Sequence, residues 1–290
     1  MQLRESLWGR GMLMAKITCV VDNNARKDSN LKSEHGVSFW IEIHGQVVLF
    51  DTGQTSQVFA HNLNELEKDV RGLDALALSH AHYDHTGGLD VILAAGKKIP
   101  LYALEDLFRQ RYSLHKGVYK EIGIAYTLEH LQEFFTMRLN DHPQEIVPNL
   151  WTTGAITERP ERVGGSEHLL IRSGDGWLPD SYNDDMSLVI KTKAGLVLIC
   201  GCCHAGILNT LLHVEREFQA RVKMVIGGSH LVSADDSYLE YVIHTFQNTY
   251  SDCQFYLNHC TGEKALRKMF EEMGGQSHAC PAGTVIILDE

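Results

Sequence analysis

The stretch Leu76-Ala-Leu-Ser-His-Ala-His-Tyr-Asp-His-Thr-Gly-Gly-Leu89 decides how this chain folds. Its apolar start predicts a buried strand, and four metal-ligating side chains follow within six residues: His80, His82, Asp84 and His85. Side chains two residues apart in an extended segment point the same way, so His80 and His82 can hold one ion. The paired glycines then allow a tight turn. Asp84 and His85 therefore leave the strand in a new direction and can reach a second ion.

The ligand types in this stretch indicate which metal it would bind. Imidazole nitrogens with one carboxylate suit zinc, and they also suit iron or manganese. The alternative is a histidine-rich strand end that binds nothing, because a chain with 16 histidines contains chance pairs. Four ligands in the order H-x-H-x-D-H argue against chance. The stretch therefore predicts a metal site that is dinuclear, with zinc as the first candidate.

Four other motifs, together with this stretch, carry a resemblance to a known family. The H-x-H-x-D-H pattern and Leu49-Phe-Asp-Thr-Gly53 resemble the signature of the metallo-β-lactamase superfamily. Three later motifs are similar to those of one subgroup, the 7,8-dihydropterin-6-methyl-4-(β-D-ribofuranosyl)-aminobenzene-5′-phosphate synthases. These motifs are Gly201-Cys-Cys-His-Ala-Gly-Ile207, Gly227-Gly-Ser-His-Leu231 and Asn258-His-Cys-Thr-Gly-Glu263.

The resemblance runs from about Lys16 to the last residue and implies both a fold and an activity. The implied fold is α/β, a four-layered αββα sandwich. The implied activity is that of a metal-dependent hydrolase or transferase acting on a phosphorylated or pterin-type small molecule. A small, anionic molecule is therefore the expected partner.

Each of the three later motifs brings one histidine to the end of an apolar run: His204, His230 and His259. We expect one of them to complete the ligand set of each ion, with His204 and His259 as the choices. His230 is expected to be a proton donor or a substrate contact, because imidazole suits acid–base work near neutral pH, and a ligand role is its alternative. For all three, the other interpretation is a core histidine that is satisfied by a backbone hydrogen bond.

Two aspartates have predicted roles besides metal binding. Asp84 is expected to orient or deprotonate the attacking water as well as to ligate an ion. Asp51 ends an apolar strand, and we expect it to orient a histidine or the Asp84 loop from outside the ligand set.

The chain departs from the pattern of the family that it resembles. That pattern implies a further histidine near 183–185 and a bridging aspartate near Cys202, and this chain has neither. His204 can replace the missing histidine, and Cys202 can lie beside the ions as a thiolate or remain a buried thiol. Asp184 or Asp185 can instead supply an oxygen ligand. The sequence therefore leaves open whether one ion or two are bound.

Composition narrows the class of protein. The chain has 290 residues and 44% hydrophobic content, enough for one domain, predicted over 15–290. Residues 1–14 are predicted to be an N-terminal extension, because Met12 or Met14 can serve as a start. The chain shows no apolar run for a membrane span and no signal-peptide pattern. Seven cysteines, an odd number, indicate a reducing cytoplasm.

The net charge of −11 disfavours a nucleic-acid partner, and the sequence leaves the oligomeric state open.

Strand and helix signals alternate along the chain. Two hairpins are predicted, over 37–50 and 184–200. Helices are predicted over 56–69, 90–95, 104–112, 207–217, 238–246 and 264–273. The region 113–180 has weaker signals, and we expect it to form the loops and strands of a lid or substrate wall.

Other functions compete with the pterin-type activity. The first alternative is a general metal-dependent hydrolase of ester, lactone or phosphodiester bonds, which differs only in using water as the acceptor. A redox di-iron protein is disfavoured, because such relatives have Glu where this chain has His82. A non-enzymatic binding module would interrupt the ligand positions with apolar residues, whereas the first motif is intact.

Overall fold

The computed structural model describes residues 13–166 and 168–289. In chain order, the strands are β1 (Leu13–Val21), β2 (Ser38–Ile43), β3 (Gln46–Phe50), β4 (Ala75–Ala77), β5 (Ile99–Ala103), β6 (Arg111–His115), β7 (Val118–Glu121), β8 (Phe135–Leu139), β9 (Glu145–Val147), β10 (Leu150–Thr152), β11 (Leu169–Ser173), β12 (Gly176–Pro179), β13 (Leu188–Thr192), β14 (Gly195–Cys200), β15 (Val222–Gly227), β16 (Gln254–Leu257), β17 (Ser277–Ala279) and β18 (Val285–Asp289). Most of the predicted extension lies outside the described residues, and its last two residues belong to β1.

The helices lie between these strands. They are α1 (Ser56–Glu65), α2 (Tyr83–Thr86), α3 (Leu89–Ala94), α4 (Leu128–Phe134), α5 (Ile207–Phe218), α6 (Asp236–Thr249) and α7 (Glu263–Met273). None of the helices within the described residues combines the length and the apolar character that a membrane crossing requires.

Local sequence explains where several of these elements begin and turn. The β2–β3 hairpin turns at His44 and Gly45, which both have positive φ, as a two-residue type I′ turn requires. Thr55 caps α1, because its Oγ1 accepts a hydrogen bond from the amide of Val58 at 3.2 Å. Asp235 caps α6 in the same way through the amide of Tyr238. Both predicted hairpins are confirmed.

Within the described residues, two seven-stranded sheets form the centre of the molecule. The first has the order β18-β1-β2-β3-β4-β5-β8, and the second has the order β17-β16-β15-β14-β13-β10-β9. One buried apolar cluster contains residues of both sheets, such as Phe39 and Leu188. A second apolar cluster joins the first sheet to α1 and α3. A third apolar cluster joins the second sheet to α5, α6 and α7. The predicted four-layered αββα sandwich is therefore confirmed.

Parallel strands in both sheets end at one edge. In the first sheet β3, β4 and β5 run parallel, and in the second β14, β15 and β16 do so. Their carboxyl ends carry the loops that contain the sequence motifs. This arrangement explains why motifs that are far apart in sequence can meet in one place.

The prediction of a helix over 104–112 is wrong. Only a 3-10 turn forms, at Glu105–Phe108, and Arg111 begins β6 instead. β6 joins a separate four-stranded sheet of order β12-β11-β6-β7. β6 pairs with β11, in which Ile171 lies opposite Arg111, so pairing with a distant strand overrides the local helical spacing.

Candidate metal centre

The candidate centre lies where the loops that follow β4, β14, β15 and β16 meet. Several non-glycine residues in these loops and in the loop after β3 have backbone in the left-handed region, which is uncommon outside functional sites. These are Asp51 (φ 58°), Cys203 (φ 58°), His230 (φ 49°) and His259 (φ 48°).

Three imidazoles converge in a first group, made of His80, His82 and His204. His82 Nδ1 lies 3.0 Å from His80 Nε2 and 3.2 Å from His204 Nε2. A tetrahedral ion with metal–nitrogen bonds of about 2.0–2.1 Å holds its ligand nitrogens roughly 3.3–3.4 Å apart. All three side chains are buried. Both distances between ring nitrogens are slightly shorter than those around such an ion, so the three nitrogens lie close enough together to share one ion.

Hydrogen bonds explain why these nitrogens need a cation. Ser79 Oγ donates to Asp51 at 2.7 Å, so it accepts from His80 Nδ1 at 2.9 Å and leaves His80 Nε2 without hydrogen. His82 Nδ1 lies between His80 Nε2 and His204 Nε2 and can donate a hydrogen bond to only one of them. The other contact is then left without a hydrogen bond in a buried site, unless a cation lies among the three nitrogens.

A second group surrounds one oxygen of Asp84. Asp84 Oδ2 lies 3.2 Å from His35 Nε2, 3.5 Å from His259 Nε2 and 3.7 Å from His85 Nε2. His259 Nδ1 is held by Asn23 Oδ1 at 2.9 Å, which turns the lone pair of Nε2 towards this carboxylate. The lone pair of His259 Nε2 and the oxygen of Asp84 both accept hydrogen bonds, and they face each other in a buried site. A cation bound between them would satisfy both.

The protonation of His82 and His259 suits metal binding, whereas that of His85 does not. Burial lowers the pKa of His82 to about 3 and that of His259 to about 4, so both are neutral at pH 7. Burial also lowers the pKa of His85, but the carboxylates of Asp51 and Asp84 outweigh it and raise that pKa to about 9. Burial raises the pKa of Asp84, yet the histidines around it hold the pKa well below its ordinary value. His85 would therefore have to release a proton in order to hold a cation.

Asp51 holds the first motif in place, and the structure puts it outside the ligand groups. Its Oδ1 accepts from the amide of Ser79 at 2.7 Å, and its Oδ2 accepts from His85 Nδ1 at 2.7 Å. One buried carboxylate thus orients both the loop and one of its histidines. Sequence reasoning missed Asn23, which does the same for His259, because nothing in its local pattern marks it.

Cys202 lies between the two groups. Its Sγ is 3.2 Å from His85 Nε2, and it forms a possible ligand set with His80 and His85. The loop that carries it passes close to the first motif, because a Cβ at Gly201 would lie 2.2 Å from Ser79 Oγ. Only glycine allows the two sheets' loops to approach so closely.

Asp184 and Asp185 point at backbone amides rather than into either group. Asp184 Oδ2 accepts from the amide of Ala81 at 2.8 Å, and Asp185 Oδ2 accepts from the amide of Ala205 at 2.8 Å. Neither aspartate belongs to a group of metal-capable side chains within the described residues. Asp185 Oδ1 is buried without a hydrogen-bond partner there, so the alternative in which one of them supplies a metal ligand stays a prediction. Burial raises the pKa of Asp184 to about 7 and that of Asp185 to about 6.

Arg111 is a further residue that the sequence did not reveal. Its side chain is almost fully buried, and its Nη2 lies 2.8 Å from Asp184 Oδ1 and 2.9 Å from Asp106 Oδ2. Its Nε lies 3.0 Å from Asp180 Oδ2. Since Asp184 also holds Ala81, Arg111 ties the four-stranded sheet to the loop between His80 and His82.

A cavity of about 320 Å³ opens over both groups. Its polar side includes His82, Asp84 and His259, and its apolar side includes Ile122 and Leu169. His230 also lines it, next to the ring of His204 at a centroid distance of 4.3 Å. His230 therefore lies where it can contact a substrate or ligate an ion.

Comparison with known proteins identifies relatives of this chain. The family model described as the metallo-beta-lactamase superfamily matches residues 33–203. An uncharacterized protein of Methanocaldococcus jannaschii is 34% identical over 259 residues, which are 87% of this chain and 93% of that protein. The 7,8-dihydropterin-6-methyl-4-(beta-D-ribofuranosyl)-aminobenzene-5′-phosphate synthase of the same organism is 28% identical over 284 residues, 93% of this chain and 96% of that protein.

Solved structures show the same relationship. The crystal structure of a metal-dependent hydrolase of the beta-lactamase superfamily has a TM-score of 0.79 and 28% identity, and the match covers 95% of this chain and all (100%) of that one. The metallo-beta-lactamase fold protein YhfI of Bacillus subtilis has a TM-score of 0.59 at 13% identity, with 94% and 99% covered. The second likeness concerns the fold alone.

Proposed function

This chain belongs to the metallo-β-lactamase superfamily, and from that premise we propose that it uses a dinuclear metal centre to act on a phosphorylated or pterin-type small molecule. The first ion would be held by His80, His82 and His204. The second would be held by Asp84, His85 and His259, with His35 close to the same carboxylate oxygen at 3.2 Å. The observation that carries the proposal is the convergence of three buried ring nitrogens at 3.0 and 3.2 Å.

The donor set favours zinc over magnesium or calcium. Imidazole nitrogens dominate both groups, and a thiol lies 3.2 Å from His85, whereas harder ions prefer oxygen ligands. Iron or manganese would also accept the nitrogen-and-carboxylate set. When bound, such ions supply Lewis-acid polarisation and offset the negative charge that develops on a leaving oxygen.

The synthase relative suggests which bond the enzyme makes. Its product, as named, joins a pterin methyl carbon to an aminobenzene nitrogen. In this chain, we propose that the amine nitrogen attacks that carbon while the carbon–oxygen bond to a diphosphate group breaks. The diphosphate takes the bonding electrons, and the amine loses one proton through the open mouth of the cavity. The apolar wall at Ile122 and Leu169 offers a surface for a planar ring.

A second candidate function is hydrolysis of an ester, lactone or phosphodiester bond. It is favoured by the structural relative described as a metal-dependent hydrolase, which matches this chain along nearly its whole length. Both candidates use the same centre, and they differ in whether an amine or water accepts the transferred group.

The metal centre is tested by counting bound ions. We expect His82→Ala and His259→Ala each to bind about one zinc ion fewer per chain than the wild type, which holds at least the two ions of this centre, by elemental mass spectrometry after gel filtration. His213→Ala is the matched control, because this buried histidine bonds to the carbonyl of Thr153 and belongs to neither group. One ion in the wild type, unchanged in both variants, would contradict the dinuclear centre.

The reaction is tested by supplying dihydropterin methyl diphosphate with and without the ribofuranosylaminobenzene phosphate. Release of diphosphate that requires the amine and yields the coupled product would support the synthase activity. Equal release without the amine would favour the hydrolase. No release under either condition, from protein with its full metal content, would rule out the pterin substrate.

A further inference from the structure

A group of two cysteines and one histidine lies beside the proposed ion sites and belongs to neither proposed ligand set. Cys202, His230 and Cys260 each offer one ligand atom, and these atoms lie within 4.8 Å of one another. The three residues follow the neighbouring parallel strands β14, β15 and β16, whose carboxyl ends are level with one another. We call this group the thiolate site.

We propose that the thiolate site binds an additional ion, a thiophilic cation of the zinc class. Two sulfurs and one imidazole form a set of three protein ligands with an open fourth position, as in catalytic zinc sites. Thiolate ligands select zinc and similar soft ions over magnesium and calcium. Two thiolates also balance the charge of a divalent ion, so the site needs no further acidic residue.

The surroundings of the three side chains fit this role. All three line the 320 Å³ cavity, so an ion there would have its open position towards a substrate. The side chains of Cys202 and Cys260 are buried, which protects the sulfurs from solvent. A Cβ at Gly228 would lie 2.5 Å from Cys260 Sγ, so the sulfur occupies space that only glycine leaves free.

Hydrogen bonding among these residues is incomplete without a cation. His230 Nδ1 is buried and has no hydrogen-bond partner among the described residues. The amide of His230 donates to Cys260 Sγ at 3.3 Å, which suits a thiolate acceptor. A protonated Cys260 can donate to the carbonyl of Cys202 at 3.4 Å, but that arrangement still leaves His230 Nδ1 unpaired.

Cys260 is the residue that tests this site separately from the other two. Cys202 Sγ also lies 3.2 Å from His85 Nε2, so its loss would affect the second proposed ion as well. Cys260 belongs to neither of the proposed ligand sets. A matched control is Cys253→Ala, because Cys253 is buried in the apolar cluster of the second sheet and lies outside the cavity.

The experiment strips the full-length chain of metal and titrates it with Cd²⁺. Bound cadmium is counted per chain, and the sulfur-to-cadmium charge-transfer absorption in the ultraviolet reports thiolate ligands. We expect three ions in the wild type and in Cys253→Ala. Cys260→Ala is expected to bind two and to lose about half of the absorption or more. His82→Ala is expected to lose a different ion and to keep the absorption.

Equal ion counts and equal absorption in the wild type and Cys260→Ala would overturn the proposal. If the wild type binds only two cadmium ions, and Cys260→Ala loses one of them together with the absorption, the thiolate site is supported. The proposed dinuclear centre would then hold one ion and not two. If circular dichroism shows that Cys260→Ala does not fold, His230→Ala serves as the second variant. It must then lose one ion, and an unchanged count would overturn the proposal.

Discussion

The two central sheets contribute to the candidate centre in different ways. The first sheet supplies its side chains from one loop after β4, which carries four of the proposed ligands within six residues. The second sheet supplies His204, His230 and His259 one at a time, from the ends of three parallel strands. A change that moves the backbone of the first loop should therefore disturb both ions, whereas a change at one strand end of the second sheet, or of a single ligand side chain, should disturb one ion.

The supporting contacts differ in the same way. A single carboxylate, Asp51, holds both the backbone and one histidine of the first loop. In the second sheet each position has its own support: Asp185 holds the amide next to His204, and Asn23 holds the ring of His259. The first loop thus has a shared support, and the strand ends of the second sheet have separate ones.

The largest effect, on the free energy of unfolding, is expected for Arg111→Met. This substitution tests whether the first loop also depends on the four-stranded sheet. Removing Arg111 leaves Asp180 and Asp184 buried without their cation, and breaking such a buried ion pair costs about 3–5 kcal/mol. Denaturant unfolding of the metal-free protein measures this loss of unfolding free energy.

Arg71→Met is the control for that experiment. Arg71 pairs with Asp69 at the surface, and its loss should change stability little because both side chains are exposed. If Arg111→Met were as stable as this control, the four-stranded sheet would contribute nothing to the support of the first loop.

A smaller effect is expected for Asp51→Asn, which tests the shared support. The amide cannot accept from Ser79 and His85 at both of its side-chain atoms, so the loop loses one of its two anchors. We expect the affinity for both ions to fall by about 10–100-fold, as measured by competition with a chelator.

The control for this variant is Asp74→Asn at the other end of the same sheet, where the carboxylate accepts from the amide of Val47 at 2.8 Å. It should leave the affinity for both ions unchanged. A loss of affinity for only one ion in Asp51→Asn would show that this carboxylate is not a shared support.

The smallest effect is expected for Asn23→Ala, which tests a separate support. The ring of His259 loses the acceptor that orients its Nε2, so the affinity for the second ion should fall by about 10-fold. The first ion should be unaffected. Asn24→Ala, the neighbouring position, is the control, and a weakening of both ions in Asn23→Ala would contradict the separation of the two sheets' roles.

Much of the fold could be predicted from the sequence, and the failures have a common cause. Both hairpins and most of the helices follow from local periodicity and turn residues. The local patterns do not indicate the four-stranded sheet, and they predict a helix over 104–112, where the chain forms a 3-10 turn and the start of a strand. Arg111 begins a strand there, and its partner in the sheet is Ile171 of β11, far along the chain. No local pattern can report such a pairing.

The sequence by itself determined the family, the αββα sandwich and the four closely spaced candidate ligands of the first motif, because their spacing is local and the strand before them is apolar. Only the tertiary structure decided that His204 faces His82 and that His259 faces Asp84. It also revealed Asn23, Arg111 and the neighbourhood of Cys260. These residues act through atoms contributed by distant strands, and their distances depend on how the parallel strand ends of both sheets meet at one edge.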